Sequence, residues 1–407
     1  MTAPTTVCDG NIADESLSNF FHECITRCLM NEEQLLIEWF AAYLHGFPQK
    51  KTWKEVDWKQ FEAVALENKV VPLFFELIMK NHPEHFPVTI KEKFKSHASA
   101  NARAALISAS RLLHILRVLE SHHIHAVPFK GLMLAEQVYG NMGSRHQGDM
   151  DLLVDPNDAF RAIQVLKEMG YVSPYRFKEK SFHAFSASRG SIELNSIHGV
   201  GVIDLHWDLT NRYATVPYGH ACVVKACKTV TLLNRSIPTL SDEDLVIVLC
   251  FHGAKDRWER LERRFCLAYL IHHHPKLDWD RLMEKAARLR ATHTVLYGLF
   301  LAQRLFGIGL PEHIRREIHC REMTFQKIHN SSAADKNSMQ KLTATRFSRF
   351  HFQIRDSWQD QCRYFFHLLV NPSSVEWGRM PLPPSLTWSY MFVRPIRLVA
   401  MFFKNRI

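Results

Sequence analysis

The sequence concentrates its chemistry in one run: Lys130-Gly131, seventeen residues, then Asp149-Met150-Asp151. On a strand, residues two apart share a face, so Asp149 and Asp151 point the same way while Met150 and Leu152 point into a core. Two neighbouring carboxylates repel unless a cation stands between them. Ligation by oxygen alone suits Mg²⁺, with Mn²⁺ as a substitute. A third carboxylate is expected from Asp204 in Val202-Ile203-Asp204-Leu205-His206-Trp207, with His206 on its face as a supporting group and Glu193 as a weaker substitute. Two ions on such carboxylates bridge a nucleoside triphosphate and an attacking hydroxyl, and stabilise in-line displacement at the α-phosphorus. The Gly131 turn lets the backbone approach the phosphates, and the helix after it aims its first N–H groups at them. Lys130 and Arg145 add positive charge. An Asp-x-Asp alone is common on solvated strands. The strand, glycine turn and helix before this one, and the acidic strand after it, favour the metal reading.

The elements that must position these residues follow from periodicity. Helical spacing runs through 15–45 (Phe20, Phe21, Ile25, Leu29, Leu35, Leu36, Trp39, Phe40, Leu44) and 53–80. A long helix is expected at about 96–122, with Ala105, Leu106, Leu112, Leu113, Leu116 and Leu119 as its apolar stripe. Ala126–Phe129 reads as a strand, Leu132–Tyr139 as a helix, Asp149–Val154 as a strand and 157–169 as a helix started by Asn157 or Asp158. Ser191–Asn195 and Val202–Leu209 are strands paired around a glycine turn. Helical patterns return at 242–251, 258–273, 278–290 and 292–306. The expected fold is α+β: a small mixed-sheet core at 96–235, a helical domain at 1–95, a second at 236–328, a linker or mobile loop at 329–345, and an aromatic, basic helical tail at 346–407.

The chain has 407 residues and a formal net charge of +10. Residues 1–250 carry 25 basic and 28 acidic side chains, whereas 251–407 carry 26 and 13, so the excess lies in the C-terminal part. That basic half is expected to be a docking surface for acceptor, partner or membrane contact, and not part of the chemistry. The first residues have no basic stretch followed by an apolar core, so no secretory signal is expected. No run of 18 apolar residues spans a membrane. Nine scattered cysteines fit reduced thiols and a cytoplasmic location. His272-His273-His274 reads as a surface loop ending at Pro275. The amphipathic tail 390–404 packs on the protein, or lies peripherally on an anionic membrane.

Residues 129–154, with Lys130-Gly131, Tyr139, Arg145 and Asp149-Met150-Asp151-Leu152-Leu153-Val154, resemble the uncharacterised nucleotidyltransferases of the polymerase-beta-like superfamily. So do Asp204-Leu205-His206-Trp207, His252-Gly253-Ala254-Lys255 with Trp258, and the tail's Glu376-Trp377 and Arg394-Pro395-Ile396-Arg397. The resemblance implies transfer of NMP from an NTP, with Asp149, Asp151 and Asp204 as Mg²⁺ ligands. The acceptor stays open among an RNA or tRNA end, a protein side chain, and a small molecule or sugar phosphate. The chain departs from the pattern at Gly131-Leu132, where the superfamily has Gly-Ser or Gly-Gly, and at Cys266, where members carry an acid. A catalytically degraded fold kept as a binding or scaffold module is the alternative; the intact Asp149/Asp151 pair speaks against it.

Overall fold

A computed structural model describes residues 32–46, 56–175, 177–199, 201–210, 216–338, 349–379 and 382–404. Expectations for 15–31, the first three cysteines among the residues before 32, and 339–345 fall outside the described residues. The architecture is α+β. Strands β1 (Ala126–Pro128), β2 (Met150–Val154), β3 (Tyr171–Val172), β4 (Ser191–Ser196) and β5 (Val202–His206) form a mixed sheet in the order β1-β2-β5-β4-β3. Only β2 and β5 are parallel; the other pairs are antiparallel. A hairpin, β6 (Lys228–Leu232) and β7 (Arg235–Thr239), straddles the expected boundary at 235.

The alternation of the strands sorts their residues by face. Met150, Leu152, Ile203 and Leu205 enter one hydrophobic cluster with Ala105, Leu112 and Leu119 of the helix Val88–Ser121 and Ala162 and Leu166 of the helix Ala159–Glu168. The other face carries Asp151, Leu153, Asp204 and His206, and Leu153 belongs to a second, larger cluster. That cluster joins the N-terminal helices Glu32–Leu44 and Trp58–Glu67 to the later helices Asp242–Lys255, Leu261–His273, Trp279–Arg288 and Thr292–Phe306. Residues before and after the sheet thus share one core. The helix Val88–Ser121 runs through the boundary expected at 95–96.

Two expectations are corrected. The helix Glu322–Ser338 includes 329–338, so the first ten residues expected as a mobile linker continue a helix. His272 and His273 form the last turn of the helix Leu261–His273 instead of a loop. The Tyr269 ring stacks on His273 at 3.9 Å, and His274 Nδ1 lies 3.0 Å from Asp242 Oδ2, an acidic partner from 32 residues earlier. The C-terminal helix Tyr390–Lys404 turns its arginines inward: Arg394 and Arg397 pair with the buried Glu376, while Phe392, Ile396 and Val399 are exposed. No described helix is long and apolar enough to cross a membrane.

Candidate active site

The turn after β1 is set by Gly131, which has φ +52° and opens the helix Gly131–Tyr139. A Cβ there would stand 3.0 Å from the Asp149 carbonyl oxygen. Glycine therefore permits both the left-handed backbone and the approach of the loop that carries Asp149. Asn101 fixes that loop from the long helix. Its Nδ2 donates to the carbonyls of Gly143 and Arg145, 2.8 Å each, and its Oδ1 accepts from Gln147 N at 3.0 Å.

Asp151 and Asp204 are register partners across parallel β2 and β5. Parallel neighbours in register project to the same side, so the two carboxylates converge. His206 Nε2 lies 3.1 Å from Asp151 Oδ1 and 3.0 Å from Asp204 Oδ2. The Lys130 ammonium pairs with Asp151 Oδ1. The Asp151 side chain is 2% exposed and that of Asp204 25%. Burial opposes the His206 imidazolium, but the Asp204 charge and hydrogen bonds to both carboxylates outweigh it and raise the group to about 9. For Asp204, burial favours the protonated acid, yet the His206 charge and hydrogen bond prevail and hold it ionised well below the usual carboxylate range. Lys130 and His206 together hold Asp151 low in the same way, against burial and the Asp204 charge. The Phe129 ring meets His206 edge-on at 5.1 Å. His206 Nδ1 is buried with no hydrogen-bond partner among the described residues.

A cavity of about 300 Å³ joins these groups to the helical layer. Asp149, Asp151, Asp204, Lys130, Arg145 and His206 all line it. The sequence placed Asp149 on the strand beside Asp151; it instead precedes β2 and is exposed at the cavity wall. Asp151, Asp204 and His206 each offer a ligand atom within 4.8 Å of the others. Asp149 is not in that group, and His206, expected in support, is. Two carboxylates and an imidazole are a donor set that fits a divalent cation. In the present arrangement Lys130 and the imidazolium supply the positive charge the carboxylates require. His82, Glu84 and His85 form a second convergent group around the turn Pro83–His85, with Glu84 and His85 exposed.

Other expectations resolve differently. Glu193 is exposed, accepts from Asn195 Nδ2 at 3.1 Å and does not line the cavity. Arg145 pairs through Nε with the buried Glu262, so its charge is largely spent inside the wall. Burial disfavours the Glu262 carboxylate, and the Arg145 charge overrides that and lowers its pKa. Glu262 sits one helical turn before Cys266, supplying the acid from a neighbouring position. Gly253 makes room for the Trp258 ring, which a Cβ would meet at 2.4 Å, so His252-Gly253-Ala254-Lys255 and Trp258 are one packing unit. His252 lines the cavity, and its buried Nε2 has no hydrogen-bond partner among the described residues. Burial, then the charges of Lys130, Lys255, Arg263 and His206, keep it neutral. Asn101 in the loop, and Glu262 and Arg355 in the cavity wall, lie outside the expected site, and with Lys255 and Arg263 the basic C-terminal half, expected to serve docking apart from the chemistry, reaches the same cavity. Only Glu262 had a local signal, its i,i+4 relation to Cys266.

Residues 54–307 match the model of the uncharacterised nucleotidyltransferase family. No curated protein matches. Three chains of solved structures match, among them a solution structure of the antibiotic-resistance factor ANT(2'')-Ia. It is 11% identical with a TM-score of 0.33, over 48% of this chain and 97% of that chain. The family match spans more than half of the sequence and contains the converging carboxylates, and the protein accordingly belongs to the uncharacterised nucleotidyltransferase family.

Proposed function

We propose that this chain is a Mg²⁺-dependent nucleotidyltransferase that moves NMP from an NTP to a hydroxyl acceptor and releases pyrophosphate. The observation that carries the reading is the in-register convergence of Asp151 and Asp204 on one cavity wall, in a chain of this family. Asp151 and Asp204 would hold the cation, with Asp149 as the third carboxylate on the same cavity. When bound, Mg²⁺ or Mn²⁺ supplies charge neutralisation at the phosphate oxygens and lowers the barrier to hydroxyl attack.

The chain's own groups perform the remaining work. Lys130 and His206 fix the Asp151 carboxylate between them. The first N–H groups of the helix Gly131–Tyr139 favour phosphate oxygens by position and dipole. Asp204 is the more exposed of the converging pair and accepts the proton of the acceptor hydroxyl. The acceptor oxygen then bonds to the α-phosphorus, the bond from that phosphorus to the bridging oxygen breaks, and pyrophosphate leaves with the electron pair. Arg145 keeps the wall intact through Glu262 instead of binding phosphate directly.

The test is transfer of label from each α-labelled NTP, with Mg²⁺, to any acceptor in a cell lysate. The expected result is a labelled species that disappears with Asp151→Ala and Asp204→Ala. Absence of label from all four NTPs, together with no NTP binding by calorimetry, would leave the fold as a binding or scaffold module. The Lys130–Asp151 pair, which neutralises the carboxylate without a metal, is the observation on that side.

A further inference from the structure

Part of the cavity wall comes from outside the region matched by the family. His351, Ile354, Arg355 and Tyr364 line it, while the match ends at residue 307. Arg355 is the unusual member. It is 8% exposed, and its Nε donates to the His351 carbonyl at 3.2 Å. Its guanidinium lies over the Tyr364 ring, 4.3 Å from the centroid. A buried guanidinium ordinarily has a carboxylate partner, because its desolvation is costly otherwise. Among the described residues no carboxylate lies within 4.0 Å of Arg355.

The nearest acids are committed elsewhere. Asp356 accepts from Thr292 N and His293 N, at 2.9 and 2.7 Å, and so caps the helix Thr292–Phe306. Asp360 takes Arg290 and Arg363, at 3.1 and 3.2 Å, and the Ser357 hydroxyl. Burial accordingly lowers the Arg355 pKa, with Tyr364 and the two aspartates only partly compensating. His351 ties this wall to the reaction centre's side, its Nε2 standing 3.1 Å from the Lys255 carbonyl. The same cavity is lined by Arg263 and by His252, whose Nε2 has no hydrogen-bond partner among the described residues. A buried, oriented, planar fork facing a polar cavity is built for an oxyanion, and phosphate is the anion this chemistry uses.

We infer that Arg355 is a phosphate-binding residue, held by Tyr364 and His351, that anchors a phosphate group of a substrate in the cavity the carboxylates also line. The inference deepens the nucleotidyltransferase reading and rests on it for the identity of the substrate. Two substrates carry the required group: the NTP through its polyphosphate tail, and an acceptor that is itself phosphorylated, such as an RNA end or a sugar phosphate.

The test begins with inorganic phosphate and inorganic pyrophosphate, titrated calorimetrically into the full chain without Mg²⁺ or nucleotide. Arg355→Gln should weaken binding of at least one of them tenfold or more, and Arg355→Lys should recover part of it. The melting temperature of each variant identifies any that simply fails to fold. Mg²⁺–NTP binding and label transfer then assign the source. An equal loss of NTP binding identifies the polyphosphate tail. Intact NTP binding with a raised acceptor requirement for labelling identifies the acceptor. Unchanged anion binding by a folded Arg355→Gln, or no anion binding by the wild type, overturns the inference. The anion titration uses no NTP, so its outcome is independent of whether nucleotidyl transfer is found.

Discussion

Asp151 and Asp204 face each other across parallel strands, and one imidazole nitrogen, His206 Nε2, reaches both carboxylates at 3.1 and 3.0 Å. This places a protonated side chain where a divalent cation would otherwise balance the pair. The imidazolium and the metal are then competitors for the same two anions. Removing the imidazolium leaves Lys130 as the near cation for two carboxylates, at a cost of about 3 kcal/mol. His206→Ala should therefore be destabilised by roughly that amount in EDTA. Millimolar Mg²⁺ should recover much of the loss. Urea denaturation with and without Mg²⁺ measures both; the same loss in each condition would show that the cation does not take this place.

Gly131 is the backbone condition for the same site. Its φ of +52° is unfavourable for any residue with a Cβ, and that Cβ would press on the Asp149 carbonyl at 3.0 Å. Gly131→Ala should cost about 1–2 kcal/mol of stability from the two effects together. It should also reduce label transfer by displacing Asp149. Denaturant midpoints and the labelling assay read the two consequences separately. A variant with wild-type stability and rate would mean that the turn tolerates a side chain.

Arg145 and Glu262 come from positions 117 residues apart and form an ion pair in the cavity wall. Breaking a buried pair from one side is destabilising by about 3–5 kcal/mol. Glu262→Gln and Arg145→Met should each approach that loss. The double variant should be no worse than the more damaging single one. A double-mutant cycle by urea denaturation checks the coupling. Strictly additive losses would return Arg145 to the role of a phosphate ligand acting independently of Glu262.

The balance between local and distant information explains what could be read beforehand. The helices at 242–306 were legible because their apolar spacing is a property of each segment. Asp151 and Asp204 were legible because strand alternation and a short loop order restrict their faces. His206 looked secondary, since nothing local states that its ring bridges two strands' carboxylates. Glu262 and Arg355 reach the cavity only through tertiary packing. Hairpin β6–β7 did have a signal, alternating residues around Leu233-Asn234, both at positive φ, but Leu in a turn is a weak marker. Strand β3 has only two residues and no pattern to detect.

Glu376 predicts how the C-terminal helix responds to acid. Its carboxylate is buried and accepts from Ser373 N at 2.7 Å and from Arg394 Nη1 at 3.2 Å, with Arg397 on the other oxygen. Burial alone would raise its pKa, but the Ser373 hydrogen bonds and the two arginines lower it. A folded-state pKa below the unfolded one stabilises fully above the ordinary glutamate value and is lost as pH falls through the folded value. Acidification through that range should therefore release the helix Tyr390–Lys404 before the main core unfolds. Hydrogen exchange should show loss of protection at 390–400 first. Glu376→Gln should show weakened protection at neutral pH and little further change with acid, because the titrating group is gone. Equal acid sensitivity in the variant would assign the transition to another carboxylate. The exposed Phe392, Ile396 and Val399 add little to holding the helix down, and the arginine pairs with Glu376 act beside the hydrogen bond from Arg394 Nε to the Leu368 carbonyl at 2.6 Å and the buried Tyr390.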